Sequence, residues 1–163
     1  MIPVNLRPME EAWKLGNRFG LVPLVLPIGV ANPIERVYEV RKRMNALKGS
    51  TQPILAFAML AVAGLIIKPA QDALLNLFGR KTTAVMTNVP GPKEQLTLCG
   101  SRVTQCMFWV PQSGDIGVGV SILSYDHKVQ LGLITDKKLV PDPERVVARF
   151  AVEFEQLLLL VLV

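Results

Sequence analysis

The chain has 163 residues and a mass of 17.9 kDa, a size that suits one domain or half of a larger one. Half of its residues are apolar and only 19% are charged, which excludes intrinsic disorder, fibrous repeats and low-complexity scaffolds. The two cysteines, Cys99 and Cys106, exclude a disulfide-rich module and the common zinc spacings, and the single histidine, His127, restricts catalytic schemes.

The net charge of +5 comes entirely from the first half of the chain. Residues 1–80 contain ten basic and five acidic side chains, whereas residues 81–163 contain eight of each. A one-sided positive field indicates an anionic partner, such as a phosphorylated cofactor, an anionic membrane surface or nucleic acid, although a solvated helix face explains the same charges. We expect no nucleic acid, because no aromatic stacking platform or binding signature accompanies the charge.

The first thirty residues predict extended segments broken by glycine and proline, with a short strand at residues 21–26. A helix is predicted next, since Asn32 can cap it, Pro33 suits its first position and Gly49 suits its end. Basic residues concentrate in the last turns of this helix, so it carries the positive face.

A second helical region is predicted at residues 53–78, broken near Pro69 and stopped by Gly79. Its apolar run, residues 54–67, would reach only about 21 Å as a helix, against about 30 Å of hydrocarbon in a bilayer. The run is therefore too short to span a membrane, and it is expected either to pack on a sheet or to lie on a membrane surface. The N-terminal residues do not resemble a signal peptide, which favours a cytoplasmic address.

Beyond Gly79 the hydrophobic period changes to alternation, which predicts strands at residues 82–89, 96–103 and 105–110. The clearest hairpin pairs residues 116–123 with 128–135 across a four-residue loop. The predicted core face of this hairpin carries the aliphatic side chains of Ile116, Val118, Val120, Ile122, Val129, Leu131 and Leu133.

The opposite face of the hairpin is predicted to set Gly119 against Gly132 and Ser121 against Gln130, with Gly117 beside them. Glycines on one sheet face allow a close approach by a backbone, a helix or a ligand. Packing explains this strip, and a binding-groove wall is the alternative. The predicted C-terminal helix begins at Pro143 after Asp142 and is expected to pack on the sheet, which completes one α+β layer structure. Its apolar face carries Val146, Val147, Phe150, Phe154, Leu157 and Leu158.

Catalytic groups are scarce in the sequence. His127 lies beside Asp126 in the predicted turn, where a solvated role explains it better than acid–base work. No phosphate-binding glycine loop and no metal-ligand cluster is present, so neither a metal nor a permanently bound cofactor is expected. The segment Thr87-Asn88-Val89-Pro90-Gly91-Pro92 is predicted to leave the sheet on a stiff path, with Asn88 bracing the exit through a backbone hydrogen bond.

Several segments in this order form a recognisable set: residues 3–7, 16–20 (Gly-Asn-Arg-Phe-Gly), 26–29, 87–92 (Thr-Asn-Val-Pro-Gly-Pro), 98–100, Ser124-Tyr125 and Asp136 with Val140-Pro141-Asp142. Together they resemble the C-terminal domain of the bacterial and plant wax ester synthase/diacylglycerol acyltransferase family, over nearly the whole chain. The Asn-Val-Pro-Gly-Pro segment is the most specific element.

The resemblance implies one lobe, residues 1–163, of the two-lobed CoA-dependent acyltransferase fold, with a mixed or antiparallel sheet packed with helices. Family members transfer a fatty acyl group from acyl-CoA to a long-chain alcohol or diacylglycerol. Their His-His-x-x-x-Asp-Gly motif, whose second histidine would act as general base, lies in the N-terminal lobe and does not occur in this sequence. The chain is therefore expected to be inactive alone.

The residues that carry over from the family are expected to shape a substrate tunnel: Gly16, Asn17, Asn88, Pro90 and Gly91. Gly117 and Gly119, from the glycine strip of the hairpin, are further candidates for the wall of the binding site. Arg18, with the basic helix, is expected to contact CoA phosphates. No residue carries over as catalytic. His127 stands where relatives commonly have glycine, and Cys99 replaces a usual small residue.

The expected function is the C-terminal part of an O-acyltransferase of wax ester or triacylglycerol synthesis, with acyl-CoA as co-substrate and a lipid alcohol as acceptor. The expected protein partner is an N-terminal catalytic lobe or a second copy of the chain. The alternative is a non-enzymatic lipid- or membrane-surface-binding module, favoured by the apolar C-terminal tail, residues 157–163. Peripheral attachment to a membrane or to lipid droplets is compatible with both.

Overall fold

A computed structural model describes residues 1–11, 13–79, 81–112 and 115–162. Its helices and mixed sheets form an α+β fold, as predicted. The chain divides into two compact units: an N-terminal unit, Met1–Phe78 with Leu157–Val163, and a sheet unit, Gly79–Gln156.

The N-terminal unit contains a two-stranded antiparallel sheet and helices. Strand β1, Ile2–Asn5, pairs with β2, Phe19–Val22, so the predicted strand at residues 21–26 begins earlier and is shorter. The helices are α1, Pro33–Lys48; α2, Gln52–Ala63; and α3, Lys68–Gly79. The predicted helix boundaries and the break before Pro69 are confirmed.

Helix α1 begins where its sequence predicts. The Asn32 Oδ1 accepts hydrogen bonds from the backbone N–H groups of Ile34 at 2.9 Å and Glu35 at 3.3 Å. These bonds satisfy two N–H groups that the helix itself cannot. Two of its basic side chains turn back to the preceding loop: Arg36 donates to the carbonyls of Val30 and Ala31, and Arg43 donates to that of Val25.

Helix α2 packs against β2 at Gly20. A Cβ atom added to this glycine would lie 2.0 Å from the carbonyl oxygen of Pro53, so only glycine permits the approach of the helix to the strand. Val22 of β2 is fully buried, and Ala63 at the other end of α2 is almost so. These contacts form the small core of the N-terminal unit.

Among the described residues, no single helix has the length and apolar composition needed to cross a membrane. The pair formed by α1 and α2 meets those criteria together, with a bend of 58° between the two helices.

The sheet unit is built on three strands in the order β3–β6–β7. Strand β3, Ala84–Pro90, runs parallel to β6, Val118–Tyr125, which pairs antiparallel with β7, Lys128–Thr135. A separate short hairpin consists of β4, Thr97–Leu98, and β5, Ser101–Arg102. The strand predicted at residues 105–110 is wrong, because this segment lies outside the sheets and covers one face of the main sheet instead.

The β6–β7 hairpin has a two-residue loop rather than the predicted four-residue loop. Tyr125 pairs with Lys128, and the loop residues Asp126 and His127 have φ angles of 47° and 59°. Positive φ at both positions is typical of the tight turns whose twist matches that of the strands. The shorter loop shifts the register by two residues, so Gly119 pairs with Ile134 and Ser121 with Gly132, not with Gly132 and Gln130 as predicted.

The buried face of the hairpin is also the reverse of the prediction. Along β6 the buried residues are Gly119, Ser121, Leu123 and Tyr125, whereas Val118, Val120 and Ile122 are half-buried. The sorting of side chains between the two faces is as predicted, but the aliphatic face is not the covered one. We call the two sides the glycine face and the aliphatic face.

The C-terminal helix α4, Pro143–Leu162, begins at the predicted proline. The Asp142 carboxylate forms an ion pair with Arg145 at 3.0 Å. In the sheet unit, Phe150 and Phe154 stack with ring centroids 5.8 Å apart, and Phe150 is half-buried. Val147 and Phe154 remain 41% and 38% exposed, so α4 lies opposite the sheet across a cavity instead of packing closely on it.

Candidate functional site

The glycine face of the sheet is filled by the protein's own side chains. A Cβ atom on Gly119 would lie 2.9 Å from Val110 Cγ1, and one on Gly132 would lie 2.1 Å from Met107 Cε and 2.8 Å from the Trp109 ring. All three distances are too short for an unchanged structure. The glycines therefore allow residues 107–112 to approach the strands.

The covering segment is fixed by buried hydrogen bonds. Ser121 is 1% exposed, and its Oγ accepts a hydrogen bond from the backbone N–H of Val110 at 3.0 Å. The Gln112 Nε2 donates to the carbonyl of Ile134 at 3.0 Å. These bonds join the segment to the middle strand and the edge strand of the sheet.

Tyr125 closes the same face at its other end. The side chain is 1% exposed, and its hydroxyl accepts a hydrogen bond from the N–H of Leu96 at 2.9 Å while donating to the carbonyl of Val103 at 2.8 Å. Leu96 and Val103 flank the β4–β5 hairpin and bond to each other. The hydroxyl thus anchors this hairpin to the sheet.

The aliphatic face of the sheet is open and borders a cavity of about 320 Å³ shared with α4. This volume is at the lower end of the range for small-molecule pockets, about 300–1,000 Å³. One charged residue lies among aliphatic and aromatic ones in its lining, which we call the aliphatic groove: Val129, Leu131, Val147, Phe150, Ala151, Phe154 and Glu155. Such a lining suits a hydrocarbon chain far better than a phosphate.

The Asn-Val-Pro-Gly-Pro segment lies at the carboxyl end of β3. Asn88 and Pro90 share the aliphatic face, because they pair in parallel with Ile122 and Ser124 of β6. Asn88 is exposed in the same cross-strand row as Ile122 and Leu131, and Leu131 lines the groove. The segment therefore places an amide side chain on the face that bears the groove.

The predicted departure of this segment from the sheet is wrong. Strand β3 stays paired through Pro90, and the N–H of Gly91 donates to the carbonyl of Ser124 at 2.8 Å. A Cβ atom on Gly91 would lie 2.4 Å from that carbonyl oxygen, so the glycine keeps the two strands in contact. The bracing bond predicted for Asn88 does not occur among the described residues, because its side chain faces outwards.

Gly117 and Gly119 lie away from this segment. Gly119 pairs with Val85 near the start of β3, five residues before Pro90, and it belongs to the opposite, covered face. A Cβ atom on Gly117 would lie 2.5 Å from Leu139 Cδ1. The space beside both glycines is thus occupied by the same chain, and their assignment to a tunnel stays a prediction.

Gly16, Asn17 and Arg18 lie in the N-terminal unit, in the loop before β2. Gly16 has a φ of 128°, which favours glycine, and its carbonyl accepts a hydrogen bond from the Arg7 guanidinium. Asn17 is exposed. Arg18 lies 3.7 Å from a Glu11 carboxylate oxygen and remains 55% exposed, so a second anion can still reach its guanidinium.

The part of the chain that the structure describes contains no group of side chains arranged for acid–base catalysis. His127 is exposed in the two-residue turn, and no three His, Cys, Asp or Glu side chains come together in a metal-binding group among the described residues. The pKa of Glu39 is lowered by the hydrogen bond from Arg43 on the surface of α1, and burial lowers the pKa of the Met1 amino group. Neither group is among the residues that line the aliphatic groove.

Sequence reasoning identified part of the groove and missed the rest. The apolar stripe of α4 identified Val147, Phe150 and Phe154, and the alternation of β7 identified Val129 and Leu131. Both sets were predicted to pack in a core rather than to border a cavity. Ala151 and Glu155 were missed, although they lie one helical turn after Val147 and Ala151 respectively, on the same side of α4.

The fold and the site together define an α+β domain with one covered sheet face and one open, lipophilic face. A family model described as the WS/DGAT C-terminal domain matches residues 15–158. The chain belongs to this family, the C-terminal domain of the wax ester synthase/diacylglycerol acyltransferases.

Curated relatives carry corresponding names. A probable diacylglycerol O-acyltransferase of Mycobacterium tuberculosis is 30% identical over 146 residues, which cover 87% of this chain and 32% of the relative. Wax ester synthase/diacylglycerol acyltransferase 11 of Arabidopsis thaliana is 26% identical over 164 residues, covering 88% of this chain and 32% of the relative. This chain therefore spans about one third of the length of the relatives it matches. No solved structure gives a significant match.

Proposed function

We propose that the chain is the C-terminal lobe of a two-lobed O-acyltransferase that transfers a fatty acyl group from acyl-CoA to a long-chain alcohol or to diacylglycerol. The observation that carries the proposal is the aliphatic groove, which lies on the same sheet face as Asn88 of the family-specific segment. The names of the relatives support the type of reaction.

In this proposal the groove holds the hydrocarbon part of a substrate. Five of its seven lining residues are aliphatic or aromatic side chains larger than alanine, and burial of a methylene group contributes roughly 0.8 kcal/mol. Glu155 would repel the phosphates of CoA, so the CoA moiety lies elsewhere. Arg18, whose side chain remains 55% exposed, is the proposed phosphate contact.

The general base of the reaction is proposed to lie on the catalytic lobe. Acyl transfer to a hydroxyl group requires removal of its proton as the oxygen attacks the thioester carbonyl, and the thiol of CoA then leaves with a proton. The imidazole of His127 is exposed in a turn, and the groove contains no histidine. The role of this lobe is therefore to bind and orient the hydrocarbon chain of the substrate.

The test is an activity assay with palmitoyl-CoA and either hexadecanol or a diacylglycerol. The chain alone should give no ester, and addition of a lobe that carries His-His-x-x-x-Asp-Gly should give turnover. The Ala151→Phe variant, which puts a ring into the groove, should lower that turnover by about tenfold or more. Turnover by the chain alone, abolished by His127→Ala, would overturn the division of roles.

A non-enzymatic lipid-binding module is the second candidate, because the groove needs no catalytic group to hold a lipid chain. In that case palmitic acid would bind the chain with an affinity sensitive to Ala151→Phe, and no catalytic lobe would produce turnover. Both candidate functions predict binding of a lipid chain in the groove, and turnover in the presence of the catalytic lobe distinguishes them.

A further inference from the structure

Helices α1 and α2 meet at an uncharged, strongly apolar stretch of the N-terminal unit. Residues 49–67 contain no Asp, Glu, Lys, Arg or His, and they lie between Lys48 and Lys68. In a water-soluble helix of this kind the apolar side chains normally face a core. Here most of them do not.

The large side chains of α2 and of the loop that follows it are exposed. Leu55 is 62% exposed, Leu65 88% and Ile67 76%. The exposed apolar set in this stretch consists of Ile54, Leu55, Met59, Leu60, Val62, Leu65, Ile66 and Ile67. A contiguous set of this size on a soluble protein indicates an interaction surface.

The outer side of α1 adds cations to this surface. Val40, Met44 and Leu47 are half-buried, whereas Arg41, Lys42 and Lys48 are exposed on the other side, near the exposed side chains of Ile34, Val37 and Tyr38. Arg36 and Arg43 are held by backbone carbonyls of the preceding loop. The three remaining cations have no ion-pair partner among the described residues, and Glu39 is already paired with Arg43 at 2.8 Å.

We propose that this helical surface, formed by the outer side of α1, by α2 and by residues 64–67, docks on the surface of an anionic lipid bilayer. Its apolar side chains would enter the headgroup–acyl boundary while Arg41, Lys42, Lys48 and Lys68 contact lipid phosphates. The bend of 58° between α1 and α2 suits two short helices that lie along an interface. Residues 52–63 of α2 extend only about 18 Å as a helix.

Charge favours lipid over a protein as the occupant. Protein–protein interfaces are depleted of lysine in their cores, whereas lysine and arginine beside an apolar helix strengthen binding to anionic lipid. A second copy of the chain would bring the same cations face to face across a twofold interface, with only Glu35 and Glu39 on α1 to offset them. This proposal does not depend on the acyl-transfer reaction.

The test is flotation of the chain with vesicles of phosphatidylcholine alone and of an equal mixture of phosphatidylcholine and phosphatidylglycerol. We expect binding to the anionic vesicles that weakens as salt is added, because exposed charges are screened. Arg41→Glu/Lys42→Glu should weaken this binding by about tenfold or more. Leu65→Asn/Ile67→Asn should weaken binding to a similar extent at low and at high salt, because the loss is apolar.

Matched controls exist in the same molecule. Lys137→Glu/Lys138→Glu makes the same charge change at two adjacent exposed lysines of the sheet unit, and Leu15→Asn/Leu98→Asn polarises two leucines that are 100% and 70% exposed outside the helical surface. Both controls should bind vesicles nearly as the wild type does. Circular dichroism of all four variants establishes that they are folded.

Four outcomes would overturn the proposal. The first is no binding to anionic vesicles by the wild type, and the second is equal loss of binding in the variants and their matched controls. The third is displacement by free CoA, which would assign the cations to CoA phosphates. A dimer in sedimentation that Leu65→Asn/Ile67→Asn converts to a monomer, without any effect on vesicle binding, would assign the surface to a second copy instead.

Discussion

The two faces of the β3–β6–β7 sheet differ in what lies against them. The glycine face is covered by residues 107–112 of the same chain, and the covering segment is held by the Ser121 hydroxyl and the Gln112 amide. The aliphatic face carries the larger side chains, yet these remain half-buried beside a cavity. The face with less apolar surface of its own is thus the better packed of the two.

The difference between the two faces indicates that the glycine face contributes to stability and the aliphatic face to binding. The glycine face receives side chains from outside the sheet, so its core consists of Val85, Val110, Leu123 and Tyr125 together with a buried serine. The aliphatic face keeps its apolar surface available for a ligand or a partner, at a cost of roughly 25 cal/mol for each Å² left in water. Substitutions on the glycine face should therefore lower stability, whereas substitutions on the aliphatic face should mainly change binding.

The largest effect is expected from Gly119→Leu on the glycine face. Its Cβ alone would lie 2.9 Å from Val110 Cγ1 and 2.8 Å from Gln112 Nε2, so the covering segment must move. We expect a loss of about 3 kcal/mol in the free energy of unfolding. Val120→Leu, which enlarges the neighbouring residue on the open face, should change it by less than about 1 kcal/mol.

Urea denaturation of both variants provides the measurement. Equal losses for the two substitutions would show that the faces are equally packed, and the contrast between them would be wrong.

A smaller effect is expected from Ser121→Ala. The substitution leaves the buried N–H of Val110 without its acceptor, which costs about 1–3 kcal/mol. Ser124→Ala lies on the aliphatic face and should change stability by about 0.5 kcal/mol or less. Hydrogen exchange of the Val110 amide would show the difference directly, since only Ser121→Ala should accelerate it.

The predictable part of the fold is the part that local sequence determines. Asn32, Pro33 and Gly49 locate α1, and Pro143 locates α4, because caps and prolines act within one turn. Alternation along β6 and β7 sorted their side chains correctly between two faces. It gave no information about which face would be covered, since that depends on residues 107–112, which lie outside the hairpin and form no strand in the sheet.

The candidate site was less predictable for the same reason. Asn88 and Pro90 could be singled out from sequence, and their position on the aliphatic face follows from a strand pairing across more than thirty residues. The predicted hairpin register was wrong by two residues because Asp126 and His127 form the whole loop at positive φ, without the Asn-Gly or Asp-Gly pair that most strongly predicts such a loop. Because residues of both β7 and α4 line the groove, no local sequence pattern predicts it.

A third substitution, in the hairpin turn, should have a smaller effect on stability. The turn determines which side chains of the hairpin lie on each face. His127→Gly should stabilise the protein by about 1 kcal/mol, because glycine adopts a φ of 59° without the penalty of a Cβ atom. His127→Ala removes the imidazole and keeps the Cβ, so it should give no such gain. Thermal unfolding of both variants distinguishes relief of backbone strain from loss of the imidazole.

The smallest effect is expected in the N-terminal unit, at the Glu39–Arg43 pair of α1. The hydrogen bond from Arg43 lowers the pKa of Glu39, so the ionised carboxylate is favoured in the folded state. The pair therefore stabilises α1 above the ordinary pKa of glutamate, and this contribution is lost as the pH falls through the lowered pKa. Glu39→Gln should reduce the difference in stability between pH 7 and pH 3, whereas Glu35→Gln, without an ion pair among the described residues, sets the background.

Binding of palmitoyl-CoA to the chain, measured by calorimetry below its micellar concentration, tests most directly whether the open face is the lipid-binding face. Ala151→Phe should weaken the binding by about tenfold or more, because the ring occupies the groove. Gln156→Phe adds a ring on an exposed part of α4 outside the groove lining and should leave the affinity unchanged. Equal affinities for the wild type and both variants would contradict the assignment of the aliphatic groove to the acyl chain.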